Sequence, residues 1–373
     1  MLATTLGASQ LLAQPGSGRL CLLNASAAAV WARHEAGAEA AAIVRWLTAT
    51  YALPESIAHQ QVAALYAAWH QAVLLDTPAA EAAVSADWVI PVPPAIASPG
   101  ADWLTLAGTA FALHREDGGW ARALAPLLQP FRRAPAASHA HALRLTGAPD
   151  DWTLWLNGQP AASGTTADAA ITTILHTLFD LACRAADRLL VIHGAGLVLP
   201  DGTGLLLVAP GGSGKTTLAT ALNAEGLGLL SDDVVPVDQD GRLLGLGAPI
   251  CLKAGSWPVL TAHRPDLEQW PTLQRLGQTI RYLPPCGSTP ASPIPLGRLL
   301  FPRYQPGSIP HTEPLTPEQA LQALIEAEAV IRNLTQSKLD ALARWVSSVP
   351  AYALTYPDLR SGLGLVKAWR GGP

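Results

Sequence analysis

Residues 204–222, GLLLVAPGGSGKTTLATAL, join two apolar runs through a loop that contains three glycines. The first run predicts a buried strand and the second predicts a helix. Glycines permit a backbone path along which several N–H groups converge on one anion. A lysine in the loop adds positive charge, and a threonine hydroxyl can bind magnesium. The stretch therefore predicts a nucleotide phosphate site that is formed by Pro210, Gly211, Gly212, Ser213, Gly214, Lys215, Thr216 and Thr217.

Two adjacent carboxylates, Asp232 and Asp233, follow the next predicted strand without a gap. In a right-handed strand–helix–strand unit, the end of that strand lies at the same edge of the sheet as the glycine-rich loop. One carboxylate can bind the magnesium ion of a nucleotide, and the other can accept the proton of an attacking hydroxyl. This context favours a phosphoryl-transfer site over a turn without a ligand. The residues leave open that one of the two aspartates only caps the loop.

The histidine of the segment VIHGAG, His193, is expected on a strand beside the strand of the glycine-rich loop. A lone histidine on a buried strand is more often a core residue than a functional one. The residues alone therefore leave its role open.

The composition is that of a globular protein with sizeable cores, because hydrophobic residues make up 49% and charged residues only 14% of the 373 positions. A net charge of −4 argues against nucleic acid as a partner. The four cysteines form no C-x-x-C pair, so we expect neither a zinc site nor a disulfide framework. No positive charge precedes Arg19, and the most apolar region is too interrupted to cross a membrane. A cytoplasmic location without membrane attachment is expected.

Residues 1–90 predict a small α+β unit of winged-helix-like architecture. A hairpin is expected over residues 9–23, and the third of three following helices is expected over residues 54–71. A stretch rich in proline and alanine predicts a linker over residues 91–102. Alternating strand and helix patterns then predict an α/β domain over residues 103–373, which carries the glycine-rich loop.

Residues 191–233 resemble the core of bacterial HPr serine kinase/phosphorylase and its relatives. A histidine in an H-G strand, a P-loop and an Asp-Asp pair follow one another in the same order in that family. The resemblance implies an α/β P-loop kinase domain of the HPr kinase type, with ATP and Mg²⁺ as cofactors and a possible homo-oligomer. It also implies the roles of the site residues. His193 belongs to the catalytic site, Lys215 binds phosphate, Thr216 and Asp232 bind magnesium, and Asp233 accepts the proton.

The later segments ICLKAGSW, LLFPRYQPG and LTYPDL look more like a shorter subgroup, the HPr-kinase-related proteins. The glutamate and the arginine-bearing C-terminal signature of the metabolic enzyme are not recognisable here. Lys253, Arg281 and Arg303 are candidates to replace the missing charges.

The first unit resembles PqqD-type proteins, which recognise precursor peptides during ribosomal peptide modification. In those proteins a leader peptide adds as a strand to the hairpin and rests on the third helix. The resemblance implies a peptide partner whose leader binds residues 9–23 and 54–71, with apolar pockets beside Leu65 and Trp69. Winged helices also bind DNA, but residues 1–90 hold three positive charges against six negative ones.

Together these patterns predict an ATP-dependent kinase that phosphorylates a hydroxyl, expected to be that of serine, in a captured precursor peptide. One alternative is a kinase of a small molecule or a carrier protein, with the first unit a relic. The other is a non-catalytic module that binds peptide under the control of a nucleotide.

Overall fold

In the computed structural model the described residues are 1–15, 20–71, 89–95, 100–116, 120–134, 138–327 and 329–369. The turn of the predicted hairpin, with Arg19, and part of the predicted linker lie outside these residues. Within them, no helix combines the length and the apolar character needed to cross a membrane.

The chain begins with a three-stranded antiparallel sheet that three helices follow. The predicted hairpin is present as its second and third strands, whereas the first strand was not predicted. The elements are β1 (Leu2–Leu6), β2 (Ser9–Ala13), β3 (Leu20–Leu23), α1 (Ala25–Glu35), α2 (Ala40–Tyr51) and α3 (Glu55–Gln71).

A larger α/β region follows, and the domain limits at residues 90 and 103 stay predictions. Its first half contains β4 (Asp102–Leu106), β5 (Thr109–Arg115), α4 (Trp120–Leu128), β6 (His141–Ala148), β7 (Asp151–Leu156), β8 (Gln159–Gly164), α5 (Ala167–Arg184), β9 (Leu190–Ile192), β10 (Gly194–Val198), β11 (Gly204–Val208), α6 (Lys215–Ala224) and β12 (Gly228–Ser231). Its second half contains β13 (Val235–Val237), β14 (Arg242–Leu243), β15 (Ile250–Lys253), α7 (Trp257–Leu260), β16 (Thr272–Arg275), β17 (Gln278–Leu283), β18 (Ile294–Tyr304), β19 (His311–Leu315), α8 (Pro317–Glu326), α9 (Gln336–Ser348), β20 (Ala351–Tyr356) and α10 (Leu359–Ala368).

The central sheet has the strand order β12-β10-β11-β18-β14-β13-β9, and β20 joins it along β18. Strand β10 is antiparallel to both β11 and β12, so those two strands run in the same direction. The ends of β11 and β12 therefore meet at one edge of the sheet. This topology brings the glycine-rich loop after β11 and the aspartates after β12 together, as the sequence predicts.

A small sheet and helix α5 lie near that edge. A small sheet of order β15-β17-β16 lies beside α6, which contacts β15. Helix α5 packs on the five-stranded sheet β4-β5-β6-β7-β8 and also contacts β16. Its N-terminal Asp168 accepts a hydrogen bond from the backbone N–H of Gln274 at 2.7 Å, which fixes β16 to the helix.

The N-terminal sheet is buried on both faces. On one face, Leu12 and Leu23 share a core with residues of α1, α2 and α3. On the other face, Leu6 and Leu11 belong to a core that includes Leu321 of α8 and Leu342 of α9. This alternation follows from the period of two along a strand. The first unit is therefore packed against the larger region, and its sheet contributes residues to the core of that region.

Polar contacts hold the same junction at the strand edge. The Gln336 side chain donates to the carbonyl of Ala3 at 2.7 Å and accepts from its N–H at 3.3 Å. The Glu318 carboxylate accepts from the N–H of Ala8 at 3.0 Å. The N-terminus of α9 thus covers part of the edge of β1, whereas α8 contacts the turn between β1 and β2 and also contacts β3, the strand at the other edge of this sheet.

Candidate functional site

The glycine loop, residues 209–216, forms one wall of a cavity of about 430 Å³. Gly212 and Gly214 have φ values of 85° and 89°, which only glycine adopts without strain. A Cβ on Gly214 would lie 2.5 Å from the Tyr356 hydroxyl, whereas a Cβ on Gly211 or Gly212 would meet nothing within 4 Å. The loop therefore packs against β20 on one side and leaves its backbone open on the other. Helix α6 begins at Lys215, so its N-terminal N–H groups point toward an anion placed there.

Lys215 is only 5% exposed, although it lines the cavity. Its Nζ atom donates to the carbonyl of Ala209 at 3.1 Å and to that of His193 at 3.5 Å. Burial lowers the pKa of Lys215, and the neighbouring charges of Asp232 and Asp233 oppose that effect. The ammonium group is held above the loop carbonyls, where it can contact phosphate oxygens of a ligand bound to the loop.

Asp232 is buried, with 3% of its surface exposed. Its Oδ1 atom accepts a hydrogen bond from the Thr216 hydroxyl at 3.2 Å, while its Oδ2 atom is buried without a hydrogen-bond partner among the described residues. Burial, and next the charge of Asp233, raise the pKa of Asp232 to about 7. An unsatisfied buried carboxylate oxygen is costly, and a divalent cation beside Thr216 would satisfy it.

These donors suit magnesium. The described residues hold no cluster of three or more His, Cys, Asp or Glu side chains that could enclose a metal ion. Magnesium in nucleotide sites uses only one or two carboxylates and takes its other ligands from phosphate oxygens and water. Thr216 and Asp232 match that requirement.

Asp233 has a different environment from its neighbour. Its side chain is 38% exposed, and its Oδ1 atom lies 3.2 Å from Nδ1 of His193. Its backbone has φ 78°, a left-handed conformation that aspartate and asparagine tolerate better than most residues. The unusual backbone turns the chain just after Asp232, so the two carboxylates face different partners.

His193 lies between β9 and β10 rather than within a strand, which corrects its predicted placement. The break exposes the ring at the same cavity as the glycine loop, and 44% of the His193 side chain is accessible. A core role for this histidine is therefore excluded by its position.

Arg275 is a site residue that the sequence patterns missed. It ends β16, and its Nη2 atom lies 3.7 Å from Oδ2 of Asp233. Its Nη1 atom donates to the Sγ atom of Cys251 at 3.5 Å. Arg275 belongs to no motif, and only the pairing of β16 with β17 and the contact of β16 with α5 bring it to the aspartates. Sequence spacing held no signal for it.

Of the three proposed replacement charges, only Lys253 lines this cavity. The Arg281 guanidinium stacks on Trp257 at 4.2 Å and donates to the carbonyl of Leu267, so it supports the small sheet instead. Arg303 lies exposed on β18 and is not among the lining residues. The prediction for Arg281 and Arg303 is therefore wrong for this cavity.

The remaining wall combines hydroxyl and apolar groups. The hydroxyls of Thr217 and Ser256 lie 2.8 Å apart. Tyr304 and Tyr356 have ring centroids 5.9 Å apart, and the half-exposed Val259 completes an apolar surface. A ligand with phosphates at the loop would find apolar contact surface on this side.

In the N-terminal unit, Trp69 is completely buried and meets Trp31 edge-on with ring centroids 4.9 Å apart. It is a core residue, so the predicted pocket beside it is wrong. Leu65 is only partly buried and lies on α3 at the border of that core. Cys21 of the edge strand β3 is also only partly buried at this core, so Leu65 and Cys21 mark the surfaces that α3 and β3 offer to a partner.

Residues 10–75 match the protein family described as Coenzyme PQQ synthesis protein D (PqqD). The match begins in β2 and spans β3 and the three helices, which supports a peptide-recognition element at this end of the chain. No curated protein matches the chain.

Proposed function

We propose that this protein is an ATP-dependent kinase that phosphorylates a hydroxyl, that of serine, in a ribosomally made precursor peptide. The observation that carries the proposal is that two adjacent carboxylates at one cavity differ in burial and in their hydrogen-bond partners. Asp232 is buried beside Thr216 with one oxygen unsatisfied, and Asp233 is accessible beside His193. A site that binds a metal nucleotide and deprotonates an acceptor needs this pair of environments.

The nucleotide would bind in the cavity at the glycine loop. The open backbone of Gly211 and Gly212, the ammonium group of Lys215 and the N-terminus of α6 would hold its phosphates. Thr216 and Asp232 would hold Mg²⁺, which neutralises phosphate charge during transfer. Tyr304 and Val259 offer apolar surface to the nucleoside.

The acceptor hydroxyl would lie against Asp233. This carboxylate takes the hydroxyl proton while the oxygen forms its bond to the terminal phosphorus of ATP, and the bond from phosphorus to the leaving oxygen breaks to release ADP. His193 orients the carboxylate through the 3.2 Å contact between Nδ1 and Oδ1. The cationic side chains of Arg275 and Lys253 at the cavity would balance the charge of the transferring group.

The PqqD-like region connects this chemistry to a peptide. An edge strand offers unpaired N–H and C=O groups to an extended leader, and neighbouring side chains of α3 select among leaders. Leader binding would raise the effective concentration of the acceptor at the cavity, to about millimolar for a short flexible connection.

The direct test is to incubate the full chain with ATP, Mg²⁺ and short peptides encoded beside its gene, and to weigh each peptide by mass spectrometry. We expect one peptide to gain the mass of a phosphoryl group and Lys215→Ala to abolish that gain. ADP release that depends on a small molecule, with no peptide modified, would establish the first alternative. Peptide binding without any mass change or ADP release would establish the second.

A further inference from the structure

A second cavity, of about 170 Å³, adjoins the nucleotide cavity. Both cavities are lined by Asp232, Asp233, Cys251 and Arg275, which therefore form the boundary between them. The glycine loop lines only the larger cavity. The smaller cavity thus reaches the proposed base from a direction that the nucleotide phosphates do not occupy.

The wall of the smaller cavity is mainly apolar and comes from elements that do not contribute to the nucleotide cavity. Six of its residues, among them His176 and Asp180, lie on α5, and beyond the boundary residues the others lie on β9 and β17, after the aspartates, before β15 and after α8. The apolar lining residues are Leu175, Phe179, Val191, Val234, Pro249 and Val330. Four of these, Phe179, Val191, Val234 and Val330, keep part of their surface accessible. An accessible apolar recess beside a proposed catalytic acid is a binding feature rather than a packing defect.

We propose that this recess binds one apolar side chain of the peptide substrate, from a residue within two positions of the acceptor serine. The inference rests on the proposed kinase function. The volume is below the roughly 300 Å³ at which small-molecule pockets begin, so the recess suits a single side chain. Consecutive residues of an extended peptide lie about 3.3 Å apart, so a residue anchored here places its neighbour at the boundary that Asp233 forms.

The recess and the acceptor site are built on one element. Helix α5 supplies Leu175 and Phe179 to the wall, and its Asp168 anchors β16 through Gln274. Strand β16 ends at Arg275, which contacts Asp233. An apolar side chain held against α5 is therefore positioned relative to the base by a rigid helix. The recess defines which serine of a peptide is phosphorylated.

The test uses soluble serine peptides in which the two positions on each side of the serine are varied one at a time. The full-length protein is compared with two recess variants and one control variant. Val330→Phe fills the recess, and Phe179→Ala enlarges it. Ile309→Phe, in an exposed loop outside both cavities, is the control. Phosphorylation rates with ATP and Mg²⁺ are measured, together with the retention of each peptide on immobilised protein.

We expect leucine or phenylalanine at one position to raise kcat/KM about tenfold or more over glycine. Val330→Phe should remove that preference, Phe179→Ala should shift it toward larger side chains, and Ile309→Phe should preserve it. Nucleotide binding should be unchanged in all three variants. The opposite shifts of the two recess variants keep the test valid if one of them folds poorly.

The outcomes separate this inference from the kinase proposal. Peptides phosphorylated without an apolar preference, or with one that Val330→Phe leaves intact, would overturn the recess and leave the kinase. Retention of apolar peptides that Val330→Phe abolishes, with no phosphorylation, would support the recess and overturn the kinase. Neither retention nor phosphorylation of any peptide would overturn both.

Discussion

The Nδ1 atom of His193 lies 3.2 Å from Oδ1 of Asp233, while the adjacent carboxylate of Asp232 accepts its hydrogen bond from Thr216. Two consecutive residues of one chain thus face two different groups. The left-handed backbone of Asp233 produces this divergence, because it turns the chain away from the direction of β12 directly after Asp232. A buried carboxylate and an accessible one therefore stand side by side.

The first prediction separates the two aspartates. Asp233→Asn should reduce peptide phosphorylation by about 10²- to 10⁴-fold, because it removes the base and keeps the shape. Asparagine also tolerates the left-handed backbone, so the fold should persist. ATP affinity, measured by calorimetry, should change little. An active Asp233→Asn beside an inactive Asp232→Asn would exchange their roles, and activity in both would make the pair structural.

The second prediction concerns Arg275, whose Nη2 atom lies 3.7 Å from Oδ2 of Asp233. Arg275→Gln should lower the rate of phosphoryl transfer more than it lowers nucleotide affinity, because the guanidinium contacts the acceptor side of the cavity. Arg303→Gln is the matched control, since that side chain is exposed and outside the cavity. Single-turnover rates with saturating ATP measure the effect. Equal rates for the two variants would remove Arg275 from the mechanism.

The contiguous part of the site was predictable from the sequence. The loop, Lys215, Thr216 and the aspartates follow the ends of β11 and β12, which run in the same direction on either side of β10, so motif spacing and crossover topology suffice to bring them together. Arg275 and Cys251 were not predictable, because they reach the cavity through a separate small sheet and its contact with α5. Such placement depends on packing between segments that are distant in the sequence, and local sequence patterns do not reveal it.

The N-terminal unit shows a second limit. Helical spacing identified the α3 stripe of Leu65 and Trp69, but spacing cannot distinguish a residue that fills the core from one that borders a groove. Strand β1 was also missed, although Leu6 is buried against α8 and α9. Its burial partners lie more than 300 residues away in the sequence, as the contact between Ala3 and Gln336 shows.

The third prediction concerns the dependence of stability on pH. The pKa of Asp232 is raised to about 7, so between the usual carboxyl range and pH 7 the folded protein holds a proton that the unfolded chain has lost. The free energy of unfolding should therefore fall as the pH rises through that window. Asp232→Asn should remove this loss of stability. The amount by which the Tm of Asp232→Asn exceeds that of the unmodified chain should therefore be larger at pH 8 than at pH 5.

Differential scanning fluorimetry without nucleotide provides the measurement. Asp240→Asn is the control, because that carboxylate is exposed and distant in sequence from the loop. Parallel pH curves for the unmodified chain and Asp232→Asn would show that burial does not control this carboxyl group. Magnesium and ATP should raise the Tm of the unmodified chain at pH 8 and have little effect on Asp232→Asn.

The last prediction concerns peptide capture. Deletion of residues 1–90 is a poor probe, since it would uncover the faces of α8 and α9 that Leu6 and Leu11 cover. We expect that deletion to lower Tm and to reduce every activity together. A point variant on α3 is the sharper test: Leu65→Glu should weaken leader binding about tenfold or more, because a charge would replace the partly buried apolar surface on which we propose that the leader rests.

Ala67→Glu introduces the same charge on the exposed, opposite face of α3 and should leave leader affinity unchanged. Fluorescence anisotropy with a labelled leader gives the affinities, and kinetics give the consequence for catalysis. Since tethering raises the local concentration of the acceptor, Leu65→Glu should increase KM for a precursor with its leader and leave kcat similar. For a short acceptor peptide without a leader, both variants should match the unmodified chain. Equal leader affinity for Leu65→Glu and Ala67→Glu would place peptide capture elsewhere on the molecule.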